Sequence, residues 1–227
     1  AASFTQSAGT TLTTIGGALT LTGAFDFTGS ALTLSGSGNT VGGTFEVTNG
    51  GVFTTSSSSD ITVSSTFIQN GAGTNTIGDD ITATSILFGT GVVLTSGVAD
   101  DVIVFTSGGG AGQDITFSST LDNADNESVT FDAGAAGDIT VGQALGDLGT
   151  GDIRVVNAAD VTFSGTVDAD NFTQVLGSGT TLFSDTVDLA SNFDFTGSAL
   201  TLNGTGNTVD GSFEVTNGGV FTTSSSS

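Results

Sequence analysis

Residues 25–59 read FDFTGSALTLSGSGNTVGGTFEVTNGGVFTTSSSS, and residues 193–227 read FDFTGSALTLNGTGNTVDGSFEVTNGGVFTTSSSS. The two segments agree at 31 of 35 positions, with an offset of 168 residues. The chain of 227 residues therefore holds about 1.35 copies of a 168-residue unit. Self-similarity at a fixed period indicates a repeat architecture, in which each unit buries its apolar face against its neighbours. We expect residues 1–227 to form one continuous segment of a tandem array.

A shorter period of about 21 residues lies inside the long one, and eight such steps make 168 residues. Each step holds three short apolar-polar alternations, such as Phe45 to Thr48, which predict strands divided by Gly, Asn, Asp or Ser corners. Three strands per 21 residues is the size of one coil of a solenoid. We therefore predict an all-β fold, a parallel β-helix (β-solenoid) of roughly 11 coils. Its core would contain one stacked column of phenylalanines: Phe4, Phe25, Phe45, Phe67, Phe88, Phe172, Phe193 and Phe213.

The region of about 98–150 is less regular than the rest of the chain. Its stretches 106–114 (TSGGGAGQD) and 121–128 (LDNADNES) are poor strands, and we expect both to form loops. An alternative architecture is a row of antiparallel sandwiches, which also read as many short strands. Sandwich domains of about 100 residues would not place a Phe every 21 residues, so the solenoid is favoured.

Composition limits the possible functions. The chain has 23 acidic residues against one basic residue, Arg154, and a formal net charge of −22. Such a surface repels nucleic acid and anionic lipid. The sequence has no Cys, His or Lys, which excludes a catalytic triad with one of these residues as its base or nucleophile. No apolar run reaches the roughly 18 residues of a membrane span.

The segments FDFTGSALTL, FEVTNGGVFTT, DITVSSTF and DVTFSGTVDADNFTQ together resemble the β-strand repeats of very large bacterial surface exoproteins. Filamentous-haemagglutinin-like adhesins and autotransporter passengers belong to the same broad group. This resemblance implies a right-handed β-helix, export to the cell surface, and a role in adhesion or in a filament or sheath. The near absence of Lys and Arg departs from that group and argues against binding of acidic glycans.

Aspartates that precede Ile or Val are the candidate metal ligands. If such residues occupy one corner of successive coils, their carboxylates could share Ca²⁺, which takes six to eight oxygens. The alternative is that each Asp begins a strand by accepting hydrogen bonds from local backbone N–H groups. The calcium candidates are Asp60, Asp80, Asp114 and Asp138, and the same pattern occurs at Asp152 and Asp160.

Catalysis is not expected, and no cofactor is predicted apart from this possible Ca²⁺. The paired acids Asp79–Asp80 and Asp100–Asp101 are the pattern that glycoside hydrolysis would need, but the chain lacks the Trp and Tyr that line sugar subsites. Arg154 would fit a polysaccharide lyase, but it is expected to be a strand residue paired with a neighbouring acid.

The sequence therefore predicts a structural segment of an extracellular or cell-surface fibre, stalk or sheath that associates with itself. The alternative is an adhesin that binds a surface or glycan ligand through loops of the irregular region at 98–150. A nearly repeated unit favours the structural role, because duplication of a unit that stacks on itself supplies length.

Overall fold

A computed structural model of the protein describes residues 1–98, 101–146 and 151–224. In these ranges the chain forms short strands and no helix. The first strands are β1 (Phe4–Gln6), β2 (Leu12–Ile15), β3 (Thr20–Leu21), β4 (Phe25–Gly29), β5 (Ala31–Leu34), β6 (Asn39–Val41), β7 (Phe45–Asn49), β8 (Phe53–Thr55), β9 (Ile61–Val63) and β10 (Thr66–Gln69). They are followed by β11 (Asn75–Ile77), β12 (Ile81–Thr82), β13 (Ser85–Phe88), β14 (Val92–Leu94), β15 (Val102–Thr106), β16 (Ile115–Phe117), β17 (Leu121–Asn123), β18 (Ser128–Asp132), β19 (Ile139–Val141) and β20 (Ile153–Asn157). The last strands are β21 (Val161–Phe163), β22 (Val167–Ala169), β23 (Phe172–Gln174), β24 (Thr180–Phe183), β25 (Val187–Leu189), β26 (Phe193–Gly197), β27 (Ala199–Leu202), β28 (Thr208–Val209), β29 (Phe213–Asn217) and β30 (Phe221–Thr223).

The strands wind into a solenoid with three parallel faces. Face A is the eleven-stranded sheet β1-β4-β7-β10-β13-β16-β19-β21-β24-β27-β30. Face B is the six-stranded sheet β2-β5-β8-β11-β14-β17, continued through isolated bridges at Leu145 by the three-stranded sheet β22-β25-β28. Face C is the ten-stranded sheet β3-β6-β9-β12-β15-β18-β20-β23-β26-β29. The predicted parallel β-solenoid is confirmed, with about ten turns in place of roughly eleven.

Turn length is regular except in the middle of the rod. Phe4, Phe25, Phe45 and Phe67 are register partners on face A, so the first turns take 21, 20 and 22 residues. The turn from Ile86 to its partner Ile115 takes 29 residues. Because a coil has a fixed perimeter, the additional residues of this turn lie outside the strands, in the segments that precede β15 and β16.

Alternate side chains of each strand fill one continuous core. In β7, Phe45 and Val47 are fully buried, whereas Glu46 and Thr48 between them are half-buried on the outer surface. Parallel pairing places equivalent side chains about 4.8 Å apart along the rod, which is close to the spacing of stacked rings. Phe25 and Phe45 stack with ring centroids 4.4 Å apart and planes 9° apart.

The structure divides the expected single phenylalanine column into three groups. Phe4, Phe25, Phe45 and Phe67 form one column on face A. Phe88 pairs with Gln69 and not with Phe67, so it lies one inward position further along face A. Phe172, Phe193 and Phe213 form a column on face C. Rings of intermediate turns, including Phe105 and Phe117, connect Phe88 edge-on to a third part of the core that periodicity alone did not assign.

The two copies of the repeat consequently lie on different faces. Strands β4, β5 and β7 of the first copy lie on faces A, B and A, whereas their sequence equivalents β26, β27 and β29 lie on C, A and C. The 168-residue unit therefore spans seven and two-thirds turns, and not eight whole steps. The lengthened turns of the middle region use the residues that a final third of a turn would need.

Candidate functional site

Three aspartates form a ladder at the corner that precedes face A. Asp114, Asp138 and Asp160 lie just before β16, β19 and β21, which are consecutive strands of this face. The backbone N–H of Asp138 donates to Asp114 Oδ1 at 2.9 Å, and that of Asp160 donates to Asp138 Oδ1 at 3.0 Å. The N–H of Thr180 donates to Asp160 Oδ1 at 2.6 Å. Each carboxylate therefore satisfies a backbone donor of the next coil.

Asp60 and Asp80 occupy a different corner, the one that precedes face C. Asp60 Oδ1 accepts from the N–H of Gly38 at 2.7 Å, and Asp80 Oδ1 accepts from the N–H of Val104 at 2.8 Å. Further along this face, Asp152 accepts from the side-chain amide of Asn171 at 2.8 Å. These aspartates also connect neighbouring coils.

The four calcium candidates therefore belong to two columns, with Asp60 and Asp80 at one corner and Asp114 and Asp138 at another. Among the described residues, no group of three or more acidic side chains is placed to hold a metal ion. The alternative interpretation, in which Asp bonds backbone N–H groups, matches these contacts more closely. The hydrogen bonds differ from that expectation in one respect, because they run between coils and not to the local turn.

Asp80 is the one acid with a clearly perturbed environment. Burial raises the pKa of its carboxyl above the usual value, and the charges of Asp79, Asp101 and Asp60 raise it further, while the Val104 N–H opposes the shift. Asp79 Oδ1 accepts the N–H of Asp80 at 2.8 Å, so this pair forms a local turn. Two carboxylates bound to backbone in this way do not form the opposed pair that glycoside hydrolysis requires.

The other candidates for chemistry are separated from this cluster. Of the second acid pair, Asp100 lies outside the described residues, and Asp101 Oδ1 accepts the N–H of Val102 at 2.9 Å. Arg154 lies on the outer surface of face C between Thr130 and Thr173. It is a strand residue as expected, but the described part of the chain gives it no ion pair with an acid.

The irregular region contains one true loop and one unexpected strand. The loop between Thr106 and Asp114 is closed by Ser107 Oγ, which donates to the carbonyl of Gln113 at 2.6 Å, and by the N–H of Gly110, which donates to Gln113 Oε1 at 2.7 Å. In contrast, residues 121–123 form β17 and pair with β14, so the expectation of a loop across 121–128 is wrong for its first part. Leu121 is buried and extends the core, which its neighbouring Asp and Asn residues had obscured.

Glu127 is a buried carboxylate that sequence reasoning missed. It is 1% exposed, and its two oxygens accept from the backbone N–H groups of Ser96 at 2.7 Å and Asp125 at 3.0 Å. The side-chain amide of Asn123 donates to its carbonyl at 2.7 Å. These bonds hold the segment after β17 in a defined shape. Its position inside an acidic polar stretch gave no signal of burial.

Buried amides form a second polar network that the sequence did not reveal. Gln69 Nε2 donates to Asn49 Oδ1 at 2.8 Å, and Gln69 Oε1 accepts from the N–H groups of Gly89 and Thr90 at 3.2 and 3.3 Å. Asn49 in turn donates to the carbonyl of Gly51 at 2.6 Å. A Cβ at Gly73 would lie 1.6 Å from the Gly51 carbonyl oxygen, which explains why small residues follow these amides at the corner between faces A and B.

The solenoid has one shallow groove and one small internal cavity of note. The groove follows the corner between faces A and B over the first turns and is lined by small uncharged residues of the segments 7–10, 28–29, 48–50 and 71–72. The cavity lies beside Leu121, Asn123 and Glu127, where Asn123 Oδ1 has no hydrogen-bond partner. Neither place combines a nucleophile with a base.

A scan of protein-family models, a search of curated proteins and a search of solved structures each find no match for this chain. In the three described ranges, no helix is long and apolar enough to cross a membrane.

Proposed function

We propose that this chain is a structural segment of an extracellular or cell-surface fibre, stalk or sheath built from tandem β-helical repeats. The observation that carries the proposal is the stacking of a nearly repeated 35-residue segment into the same continuous core at two places along one rod. Every strand within the rod is paired on both edges, and only the terminal coils have open edges. A unit of this kind extends a rod without any additional element.

The chemistry of the candidate residues supports a structural role over catalysis. The aspartates Asp60, Asp80, Asp114 and Asp138 use their oxygens on backbone N–H groups of neighbouring coils. Such bonds tie coils together, since each satisfies a donor that would otherwise be left at a corner. We propose that this protein performs no reaction and that its acidic surface keeps neighbouring rods soluble.

Export to the cell surface is part of the proposal. It is supported by the resemblance to bacterial exoproteins with β-strand repeats, together with the absence of Cys and Met, which suits a long-lived exposed material. A filamentous-haemagglutinin-like or autotransporter-passenger-like relationship, with right-handed winding, would agree with the parallel three-faced architecture.

An adhesin is the second candidate function. The loop between Thr106 and Asp114 favours it, because the Ser107 and Gln113 hydrogen bonds preorganise the loop on the side of the rod. Replacing residues 108–112 with a short Gly-Ser turn separates the two functions. Loss of adherence of source cells with intact fibres would favour the adhesin, and unchanged adherence would favour the spacer.

Immunogold electron microscopy of the source cells tests the structural proposal. The antibody is raised against FEVTNGGVFTT, which occurs at 45–55 and 213–223. We expect label along thin fibres or a sheath outside the cell. Label only at contacts with other surfaces would favour the adhesin, and label inside the cell would contradict both functions.

A further inference from the structure

The repeated unit carries one patch of outward side chains that contains no charge. We call these residues the neutral patch. In the first copy they lie on face B: Leu12, Thr14, Ala31, Thr33, Val52 and Thr54. Their sequence equivalents in the second copy lie on face A: Thr180, Leu182, Ala199, Thr201, Val220 and Thr222.

The neutral patch contrasts with the rest of a chain whose net charge is −22. Outward positions of the neighbouring face of the same unit carry Asp26 and Glu46 in the first copy, and Asp194 and Glu214 in the second. On face B the uncharged column continues through Thr76 and Val93 before it ends at Asp122. The absence of charge is therefore a property of one side of the rod and not of the whole surface.

We infer that the neutral patch is a lateral interface that binds the neutral patch of a second copy of this chain. Two acidic rods repel each other wherever their charged faces meet, so close approach is least costly where charge is absent. Both partners have the same axial spacing of about 4.8 Å, so threonine methyl and hydroxyl groups of one copy can interdigitate with those of the other. The inference rests on the proposed function, because it assigns the surface through which fibre segments associate.

The exposed apolar side chains of the neutral patch support a partner surface. Leu12, Val52 and Val220 are 59, 41 and 64% exposed, and they are among the most exposed large apolar residues of the chain. The patch has no aromatic ring on which a sugar could stack. A flat, charge-free surface of small side chains fits another copy of itself better than it fits a soluble glycan.

Rotation of the repeat makes each chain bivalent. The neutral patch lies on face B near one end and on face A near the other, because the 168-residue unit spans seven and two-thirds turns. A rod with patches on two faces can bind one neighbour on each side. Association then builds a network of rods, which a sheath or bundle requires, and does not stop at a pair.

The size of the patch indicates that one contact is weak. Three to five coils at about 4.8 Å, and a strand width of roughly 13 Å, give on the order of 200–300 Å² per partner. Stable specific interfaces bury about 800 Å² per partner, so a single patch would give only transient pairing. Repetition along an array would raise the avidity without any new contact.

Cysteine cross-linking detects such weak pairing, and the chain contains no other cysteine. The variants are Thr33→Cys and Thr201→Cys, at equivalent patch positions on faces B and A, and the matched control is Thr173→Cys, a half-buried outward position on face C. Under mild oxidation we expect both patch variants to form disulfide-linked dimers at least about tenfold faster than the control. The double variant Thr33→Cys/Thr201→Cys should form trimers and larger species. Equal rates at the three positions would overturn the interface.

A charge variant gives an independent readout. Thr33→Glu in the Thr201→Cys background leaves the second patch intact, whereas Thr201→Cys mixed with excess Thr201→Glu protein should lose most of its faster cross-linking. Circular dichroism checks that each variant keeps its strands. Rods that remain monomeric and shape ice crystals through this patch would overturn the proposal in favour of a crystalline surface. Single rods found within fibres on the cell surface would also overturn the lateral interface, while leaving the structural function intact.

Discussion

Replacement of Phe45 by Ala tests the stacked core with an internal control. Phe45 is fully buried, and its ring centroid lies 4.4 Å from that of Phe25 and 5.1 Å from that of Phe67. Phe213 occupies the same sequence, FEVTNGGVFTT, but it is 45% exposed in the last coil and stacks on Phe193 with a centroid distance of 4.7 Å. The two positions therefore differ in burial and not in local sequence.

The expected magnitudes follow from that difference. Phe45→Ala removes a ring with neighbours on both sides and leaves a cavity in a closed core, which costs about 3–5 kcal/mol. Phe213→Ala removes a half-exposed ring with one open side, and we expect a loss of about 1–2 kcal/mol. The chain has no Trp or Tyr, so unfolding in urea is followed by far-ultraviolet circular dichroism.

Hydrogen exchange locates the effect of each substitution. In a stacked array, instability spreads mainly to neighbouring coils. Phe45→Ala should reduce protection in β4, β7 and β10, whereas Phe213→Ala should act on β26 and β29. Equal losses of stability for the two variants would refute the reasoning, because they would mean that stacking between coils does not determine the energy.

Four further predictions concern the polar contacts. Gln69→Ala should cost about 2–3 kcal/mol in urea unfolding, since it leaves Asn49 Oδ1 and two backbone N–H groups without their buried partner; a loss below about 0.5 kcal/mol would contradict this role. Asp138→Ala should cost about 1 kcal/mol through the lost bond from the Asp160 N–H, and Asp138→Asn should recover most of it, whereas identical losses would show that this acceptor is unimportant. The folded-state pKa of Asp80 is raised, so ionisation opposes folding, and stability should increase as the pH falls through that pKa towards the unfolded value; Asp80→Asn should diminish this increase, and an unchanged pH profile would argue against it. Ca²⁺ or a chelator should leave the melting temperature unchanged in buffered salt, because the described acids form no metal group; a rise with Ca²⁺ would restore the calcium hypothesis.

Most of the fold could be predicted from sequence because the solenoid repeats one simple pattern. The alternation in Phe45-Glu46-Val47-Thr48 matches the buried and outward positions of β7. The spacing of Phe4, Phe25, Phe45 and Phe67 matches their register on face A. Both signals are local or depend on a constant coil length, so they need no knowledge of distant contacts.

The phase of the repeat could not be predicted in the same way. Periodicity assigns Phe88 and Phe172 to the column of Phe4, but the 29-residue turn between Ile86 and Ile115 absorbs chain length in loops. Loop length has a small energetic cost, so sequence spacing does not reveal how many residues leave the coil. The result is a one-third turn difference between two nearly identical segments.

The polar contacts were predicted by residue type but not by partner. An Asp before a strand was expected to bond backbone N–H groups, and Asp114 and Asp138 do so, with donors 22 to 24 residues away. Burial of Glu127 depends on the path of the segment around it, which composition does not determine. Pairing between coils is long-range information, and one sequence without relatives carries little of it.

Electron cryo-microscopy of fibres sheared from the source cells, identified with antibody to the repeated FEVTNGGVFTT segment, tests the central claim most directly. A solenoid with ten turns and a mass of 22.2 kDa predicts a strong meridional reflection near 4.8 Å and about 0.46 kDa per Å for each rod. Antibody-positive fibres with that reflection and a whole multiple of that mass per length would support the account. Antibody-positive material that forms no fibres, or fibres without the 4.8 Å reflection along their axis, would contradict it.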